Sequence, residues 1–104
     1  MDYKVVWSLD SLNDILQIAE YIERDSHAYA SSVVTKILGK TRLLKSFPFS
    51  GRVVPEEMEE NVREHFVFSY RIIYEVRADT VFVLAVVHGK RMLYPDFQDR
   101  IKKN

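Results

Sequence analysis

The run Val81–Val87, VFVLAVV, contains seven apolar residues and no polar one. A strand with apolar side chains on both faces must be covered on both faces, so this run predicts an interior strand of a sheet. The preceding run Tyr70–Arg77 is rich in β-branched and aromatic residues, and the polar break at 78–80 is suited to a hairpin turn. We therefore expect a sheet organised around Val81–His88, with these two runs as antiparallel neighbours.

The rest of the chain predicts an α+β domain in the order β-α-α-β-β-β. Ser8 is a good N-cap for a first helix, Asp25 or Ser26 for a second that ends near Lys45, and the short join between them favours an antiparallel helical hairpin. The remaining segments are a first strand at Tyr3–Trp7, a short edge strand at Arg52–Pro55, an exposed acidic loop at Glu56–Glu60, a strand at Val62–Phe68 and a last helical turn at Phe97–Ile101. We expect a small twisted, mostly antiparallel sheet of four principal strands with the hairpin packed on one face.

Composition limits the kinds of site that the chain can carry. Its 104 residues, 47% of them apolar, suit a single domain over 1–104. The absence of cysteine excludes disulfides and thiolate metal sites. The sequence contains no phosphate-binding glycine loop, no metal-ligand spacing, no signal peptide and no apolar membrane span. We expect a cytoplasmic protein without a cofactor or metal.

The residues with chemical potential are cations grouped around the end of the apolar strand. Fifteen basic residues balance fifteen acidic ones, so the distribution of charge matters more than the total. A cation set that could bind a phosphodiester consists of Arg71, His88, Lys90, Arg91, Tyr94, Arg52 and Arg63. In it, His88 could serve as a general acid or base near neutral pH.

Each member of this set also has a structural explanation. Arg71 could pair with Glu75 on the same strand face, His88 could cap a backbone carbonyl, and Tyr94 before Pro95 could act as a packing lid. We expect Trp7 and the pair Phe66 and Phe68 to lie in the core. Both explanations of the cation set remain open on residues alone.

Three motifs in order resemble the RelE/ParE superfamily of bacterial toxins, also called plasmid stabilisation proteins. They are FPxxGRxxPE at 47–56, SYRIIYEV at 69–76 and VFVLAVVHGKR at 81–91. The first strand, which ends in WS before a helix, and the helical hairpin agree with the resemblance, which covers nearly the whole chain. The resemblance implies a growth-inhibiting toxin of a type II toxin–antitoxin module, neutralised by a cognate antitoxin in a heterotetramer or higher complex.

The resemblance leaves two targets open. RelE-like members cleave mRNA on the ribosome with arginines on the sheet and a C-terminal tyrosine; Arg71 and Arg91 match the arginines, whereas Phe97 stands at the tyrosine position and Tyr94 is shifted. ParE-like members poison DNA gyrase without a ribonuclease site, and the GRxxPE and HGKR motifs with the neutral charge favour that branch. Candidate catalytic residues, for an endoribonuclease only, are Arg71, His88, Arg91 and Tyr94. Candidate nucleic-acid or target-binding residues are Arg52, Arg63, Lys90, Arg91, Arg100 and Lys102. A non-toxic interaction domain of the same fold is a third hypothesis.

Overall fold

The computed structural model describes residues 2–89 and 97–103. The elements are β1 (Lys4–Trp7), α1 (Leu9–Glu23), α2 (His27–Leu43), β2 (Arg52–Val53), β3 (Val62–Val67), β4 (Tyr70–Arg77), β5 (Thr80–His88) and α3 (Phe97–Lys103). The sheet order is β1-β5-β4-β3-β2; β1 pairs with β5 in parallel and all other pairs are antiparallel. The predicted α+β class and helical hairpin are confirmed. The expectation of four principal strands is corrected to five, because Arg52–Val53 pairs with Arg63 and Glu64.

Strand β5 has the interior position that its apolar sequence predicts. It lies between β1 and β4, and all but one of the residues in Val81–Val87 are buried. Phe82 is the exception, with intermediate exposure. Both faces of β5 are covered, the first by the helical hairpin and the second by α3 and the segment around Val54.

Local hydrogen bonds set the starts of the two long helices. The Ser8 hydroxyl accepts a hydrogen bond from the Ser11 N–H, and the Ser26 hydroxyl accepts one from the Tyr29 N–H. The predicted N-caps are therefore confirmed, with Ser26 rather than Asp25 at α2. None of the described helices combines the length and the apolar character that crossing a membrane requires.

Alternation along β4 divides the sheet into two faces. Ile72, Tyr74 and Val76 pack on the hairpin side, which we call the helix face. Arg71 and Ile73 point to the opposite side, called the second face, where Ile73 joins the buried cluster of Val54, Val62, Leu84, Ala85, Val87 and Phe97. The period of two in a strand predicts this division, with residues 70, 72, 74 and 76 on one face and residues 71, 73, 75 and 77 on the other, and the structure agrees.

The apolar residues of α1 follow helical spacing, which predicts one buried stripe of Leu9, Leu12, Ile15, Leu16, Ala19 and Ile22. In the structure this stripe is only partly buried. Ile15 and Ile22 lie in the core as their spacing predicts. Leu9, Leu12 and Leu16 of the same stripe face solvent, with exposed fractions of 74%, 44% and 60%. The helix therefore contacts the sheet through fewer apolar residues than its sequence predicts. Leu9, Leu12 and Leu16 remain uncovered, and we call them the α1 strip.

Candidate functional site

The guanidinium of Arg71 is enclosed by two carboxylates on the second face. Its Nε donates to Glu64 Oε1 at 2.6 Å, and its two terminal nitrogens donate to the two oxygens of Glu56 at 2.8 Å each. The Arg71 side chain is only 4% exposed and that of Glu64 is fully buried. Bidentate contact with Glu56 is the strongest geometry available to an arginine, so this side chain is firmly held.

Arg52 extends this arrangement to a row of four alternating charges. Its Nε donates to the other oxygen of Glu64 at 2.5 Å, and its guanidinium lies 5.3 Å from the centre of the Phe66 ring. We call the set Glu56, Arg71, Glu64 and Arg52 the Arg71 clasp. Its two positive and two negative charges compensate each other, which reduces the free-energy cost of burying ions in the folded protein.

The pKa shifts agree with this geometry. Hydrogen bonding to Arg71 lowers the pKa of Glu56 below its usual 4.5, despite the opposing effect of burial. The hydrogen bond to Glu56 is likewise the largest of the effects that raise the pKa of Arg71. Both groups are thus charged near neutral pH, and the clasp is a set of ion pairs rather than a proton-transfer site.

Gly51 joins the clasp to the helix face. Its N–H donates to the Tyr74 hydroxyl oxygen at 3.0 Å, and a Cβ at this position would lie 2.5 Å from the Glu64 carbonyl oxygen. Only glycine permits so close an approach of two backbones. The motifs GRxxPE and YRIxYEV are therefore parts of one contact, since Gly51, Arg52 and Glu56 meet β3 and β4 there.

The interpretation that Arg71 pairs with Glu75 is wrong. Glu75 lies four residues further along β4. Its Oε1 is 2.5 Å from an Arg77 nitrogen, and its other oxygen accepts a hydrogen bond from the Asn61 side chain. Across the antiparallel ladder Arg71 faces Phe66, so the diagonal neighbour Glu64 reaches it instead.

His88 and Arg71 share one end of the sheet but lie on opposite faces. Arg71 pairs with Val87, while His88 pairs with Tyr70, whose ring it meets edge-on at a centroid distance of 5.9 Å. Tyr70 packs on the helix face, so the His88 imidazole lies there too. A hairpin that closes at Asp79 predicts Arg71 and His88 near the same open end of the sheet, which is correct, but the sheet itself separates the two side chains.

Two other predicted target-binding cations have intramolecular partners. Arg63 donates to the carbonyl oxygens of Phe49, Gly51 and Glu60 and pairs with the Glu60 carboxylate at 2.7 Å. Arg100 binds both oxygens of Asp14 and the Leu84 carbonyl, which fixes α3 to α1 and β5. Arg63 and Arg100 therefore hold loops and helices in place.

The remaining candidates fall into two groups. Lys102 is exposed on α3, whereas Lys90, Arg91 and Tyr94 lie outside the described residues. Phe97, at the position of the RelE-like tyrosine, is 3% exposed and packs in the second-face core. Glu56 and Glu64 were not among the predicted site residues. The glutamate of the GRxxPE motif was the available signal for Glu56, and nothing local in the sequence marks Glu64.

Substituting Gly51 by alanine should destabilise the fold. The new Cβ would meet the Glu64 carbonyl and the Tyr74 hydroxyl, so the backbone must shift, at a cost of about 1–3 kcal/mol in unfolding free energy. Gly39→Ala is the matched control, because nothing lies within 4 Å of its Cβ position and alanine favours a helix by about 0.5–1 kcal/mol. Urea denaturation of both variants measures the difference; equal effects would contradict the proposed close approach.

The Glu56→Gln variant should lose stability in a pH-dependent way. The Glu56 pKa is lower in the folded chain than the usual 4.5, so its contribution is present above about pH 4.5 and is lost as the pH falls below it. At pH 7 we expect a loss of about 1.5–3 kcal/mol, the range for hydrogen bonds to charged groups. Denaturation at pH 7 and pH 3 should show the gap between variant and parent narrowing in acid. Glu20→Gln, an exposed control, should change little at either pH, and a gap of constant size for Glu56→Gln would contradict a charge-based clasp.

Comparison with known proteins places the chain in a family. The model of the ParE toxin of the type II toxin-antitoxin system parDE matches residues 5–93. A comparison with curated proteins gives no match. Similar solved structures include the chromosomal ParDE system from P. aeruginosa, with 16% identity over 85% of this chain and 97% of that one and a TM-score of 0.71.

Two further structures share the fold. A mutant of the E. coli toxin RelE in the free state has 16% identity over 99% of this chain and 98% of that one, with a TM-score of 0.67. The YoeB/ParE toxin from Agrobacterium tumefaciens has 23% identity over 82% and 96%, with a TM-score of 0.59. These likenesses confirm the RelE/ParE-like fold. Because the family model covers most of its length, the chain belongs to the ParE toxin family of type II toxin–antitoxin systems.

Proposed function

We propose that this protein is a toxin that arrests growth by binding DNA gyrase and that it is not a ribonuclease. The proposal that the protein is not a ribonuclease rests on the Arg71 clasp. The arginine that the resemblance assigns to RNA is 4% exposed and already bound by Glu56 and Glu64. A phosphate would have to displace two carboxylates from a buried site, at a large electrostatic cost.

Among residues 2–89 and 97–103, the other elements of metal-free RNA cleavage are not brought together with Arg71. Such cleavage needs a base for the 2′-hydroxyl and an acid for the leaving oxygen beside the cations. His88 lies on the helix face, on the other side of the sheet from Arg71. Phe97 has no hydroxyl and is buried in the core. These features support a toxin that acts by binding, and membership of the ParE family supports gyrase as the target.

The structure also supports a partner that covers α1. Leu9, Leu12 and Leu16 form an exposed strip at helical spacing, which is the kind of surface that an amphipathic helix of a second chain would cover. The similar structure from P. aeruginosa is that of a ParDE toxin–antitoxin system. We propose that a cognate antitoxin binds this protein through the α1 strip and neutralises it.

One induction culture, assayed in two ways, tests the target. We expect an SOS response with trapped gyrase–DNA complexes, and intact transcripts at early times. Arg91→Ala should reduce the arrest, while Arg24→Ala, which removes an exposed arginine at the end of α1, should not. Rapid, codon-positioned mRNA cuts without DNA breaks would overturn the proposal in favour of a ribosome-dependent endoribonuclease. Unimpaired growth with abundant folded protein would favour a non-toxic interaction domain.

The Arg71 clasp determines how much stability the Arg71→Ala variant should lose. A surface Arg71–Glu75 pair would be worth only about 0–1 kcal/mol, so Arg71→Ala would leave the fold intact. In the buried clasp the same change removes the arginine partner of Glu56 and one of the two arginine partners of Glu64, and it should cost about 3–5 kcal/mol. Loss of toxicity in Arg71→Ala is therefore informative only beside its melting curve.

The antitoxin surface can be tested by co-expression with a short reading frame found directly upstream or downstream of the gene. Leu16→Glu places a charge in the α1 strip and should abolish co-purification of the two chains. Ser31→Glu, an equally drastic change at an exposed site of α2, should leave the complex intact. Co-purification of Leu16→Glu at the parent yield would exclude the α1 strip as the antitoxin surface.

A further inference from the structure

The C-terminal end of α2 carries exposed apolar side chains on one face. Leu43 is 54% exposed and Phe47 is 63% exposed. The Phe47 N–H donates to the Leu43 carbonyl oxygen at 3.0 Å, so the helical path continues beyond the last residue of α2. Lys36 and Lys40 precede Leu43 by seven and three residues. At this spacing all four side chains lie on the same side of the helix.

The end of β3 continues this apolar face. A groove of about 410 Å³ lies between it and α2 and is lined by Lys36, Lys40, Leu43, Phe66, Val67 and Phe68. We expected Phe66 and Phe68 in the core, but they are 45% and 49% exposed. Phe68 adopts φ +53°, a left-handed conformation that is rare for a residue other than glycine, and its ring lies 5.7 Å from Lys36 Nζ. The set that we call the α2 end patch consists of Lys36, Lys40, Leu43, Phe47, Phe66 and Phe68.

The charges around the α2 end patch are positive. Residues 27–55 contain five lysines and arginines and no aspartate or glutamate, a bias that the overall balance of charge conceals. Neither lysine of the patch has a carboxylate partner among residues 2–89 and 97–103. On the other side of α2, Arg42 and Lys45 line a second groove. Cations therefore flank the end of the helix on both sides.

The α1 strip has the opposite charge pattern. Over Leu9–Glu23 the chain has four acids and no lysine or arginine, although Arg100 offsets one acid by binding Asp14. At the α2 end patch an acid lies at the margin, where Asp2 accepts a hydrogen bond from the Ser46 hydroxyl at 3.4 Å. An anionic surface is thus repelled by α1 and attracted by the α2 end patch. Charge therefore assigns the two apolar surfaces to different partners.

From these observations we infer that the α2 end patch binds the surface of an anionic phospholipid bilayer. The Leu43 side chain and the three phenylalanine rings would enter the boundary between headgroups and acyl chains. The lysine ammonium groups would meet the lipid phosphates, while their aliphatic stems cover apolar surface. This inference goes beyond the proposed function and does not depend on it.

The composition of the α2 end patch favours a bilayer over other anionic ligands. A single-stranded nucleic acid stacks its bases on aromatic rings and pairs its phosphates with cations. Leu43 has no ring, however, and Phe47, the most exposed apolar side chain of the patch, does not line the groove. A free phosphate gains nothing from the apolar side chains. A bilayer uses both the cations and the exposed apolar side chains.

Co-sedimentation of the intact chain with lipid vesicles tests the charge requirement. Vesicles that contain phosphatidylglycerol should bind at least tenfold more tightly than vesicles of phosphatidylcholine alone. Lys36→Glu combined with Lys40→Glu should weaken binding at least tenfold. Lys4→Glu combined with Lys102→Glu makes the same charge change at exposed sites on β1 and α3 and should stay within threefold, because salt screens charges far from the bilayer. Circular dichroism confirms that each variant is folded.

Entry of apolar side chains needs a separate measurement. Phe47→Ser should weaken vesicle binding about fivefold, whereas Met58→Ser, which removes a more exposed apolar side chain from the acidic loop, should stay within twofold. The chain has no cysteine, so Ser46→Cys accepts a single environment-sensitive fluorophore beside Phe47. Ser31→Cys places the same label in the N-terminal half of α2. Emission should shift to the blue on anionic vesicles only for the label at residue 46.

Equal binding to the two kinds of vesicle, or an equal loss in the two lysine pairs, would overturn the inference. Absence of the blue shift at residue 46 would do the same. Competition by soluble glycerol phosphate at constant ionic strength would assign the lysines to a free phosphate instead. Tighter binding of a twelve-nucleotide oligothymidine with the same lysine dependence would assign the patch to nucleic acid, and a homodimer that Phe47→Ser dissociates would assign it to a second copy of the chain.

The two proposals fail separately. Vesicle binding by a chain that is harmless when induced would sustain the α2 end patch and reject the toxin function. Growth arrest and neutralisation by a chain that binds no vesicle would sustain the function and reject the patch.

Discussion

The contact between Arg71 and the carboxylates of Glu56 and Glu64 organises the second face of the sheet. It joins the loop after β2, strand β3 and strand β4 through charge-assisted hydrogen bonds of 2.6 to 2.8 Å. Burying one of these ions alone would be costly, so each requires the others, and Gly51 must leave room for the approach. These contacts give the GRxxPE and YRIxYEV motifs a structural explanation.

This neutral, closed face changes where a binding function can lie. The charges of Arg71, Glu56 and Glu64 are satisfied within the clasp, while uncovered apolar surface lies elsewhere, on the α1 strip. Exposed apolar surface of this kind marks interaction sites in soluble domains. The α1 strip is therefore suited to binding another protein, as the proposed function requires.

The sequence by itself determined the features that depend on neighbouring residues. The unbroken apolar run placed β5 inside the sheet, alternation assigned the faces of β4, and Ser8 and Ser26 capped their helices, because strand period and capping are local properties. The three motifs identified the superfamily before any geometry was known. The position of Arg71 near the end of the predicted sheet made it a candidate site residue, and the motif match added to this.

Only the tertiary structure decided what the notable residues touch. Glu56 and Glu64 lie fifteen and seven residues from Arg71, and strand register rather than sequence spacing brings them to it. Register also put His88 on the opposite face from Arg71. Helical spacing could not show which part of the α1 stripe the sheet would cover. The strand pattern could not show that the turn at Phe68 would leave the Phe66 and Phe68 rings half exposed. Each of these outcomes depends on how distant segments pack, which local patterns do not encode.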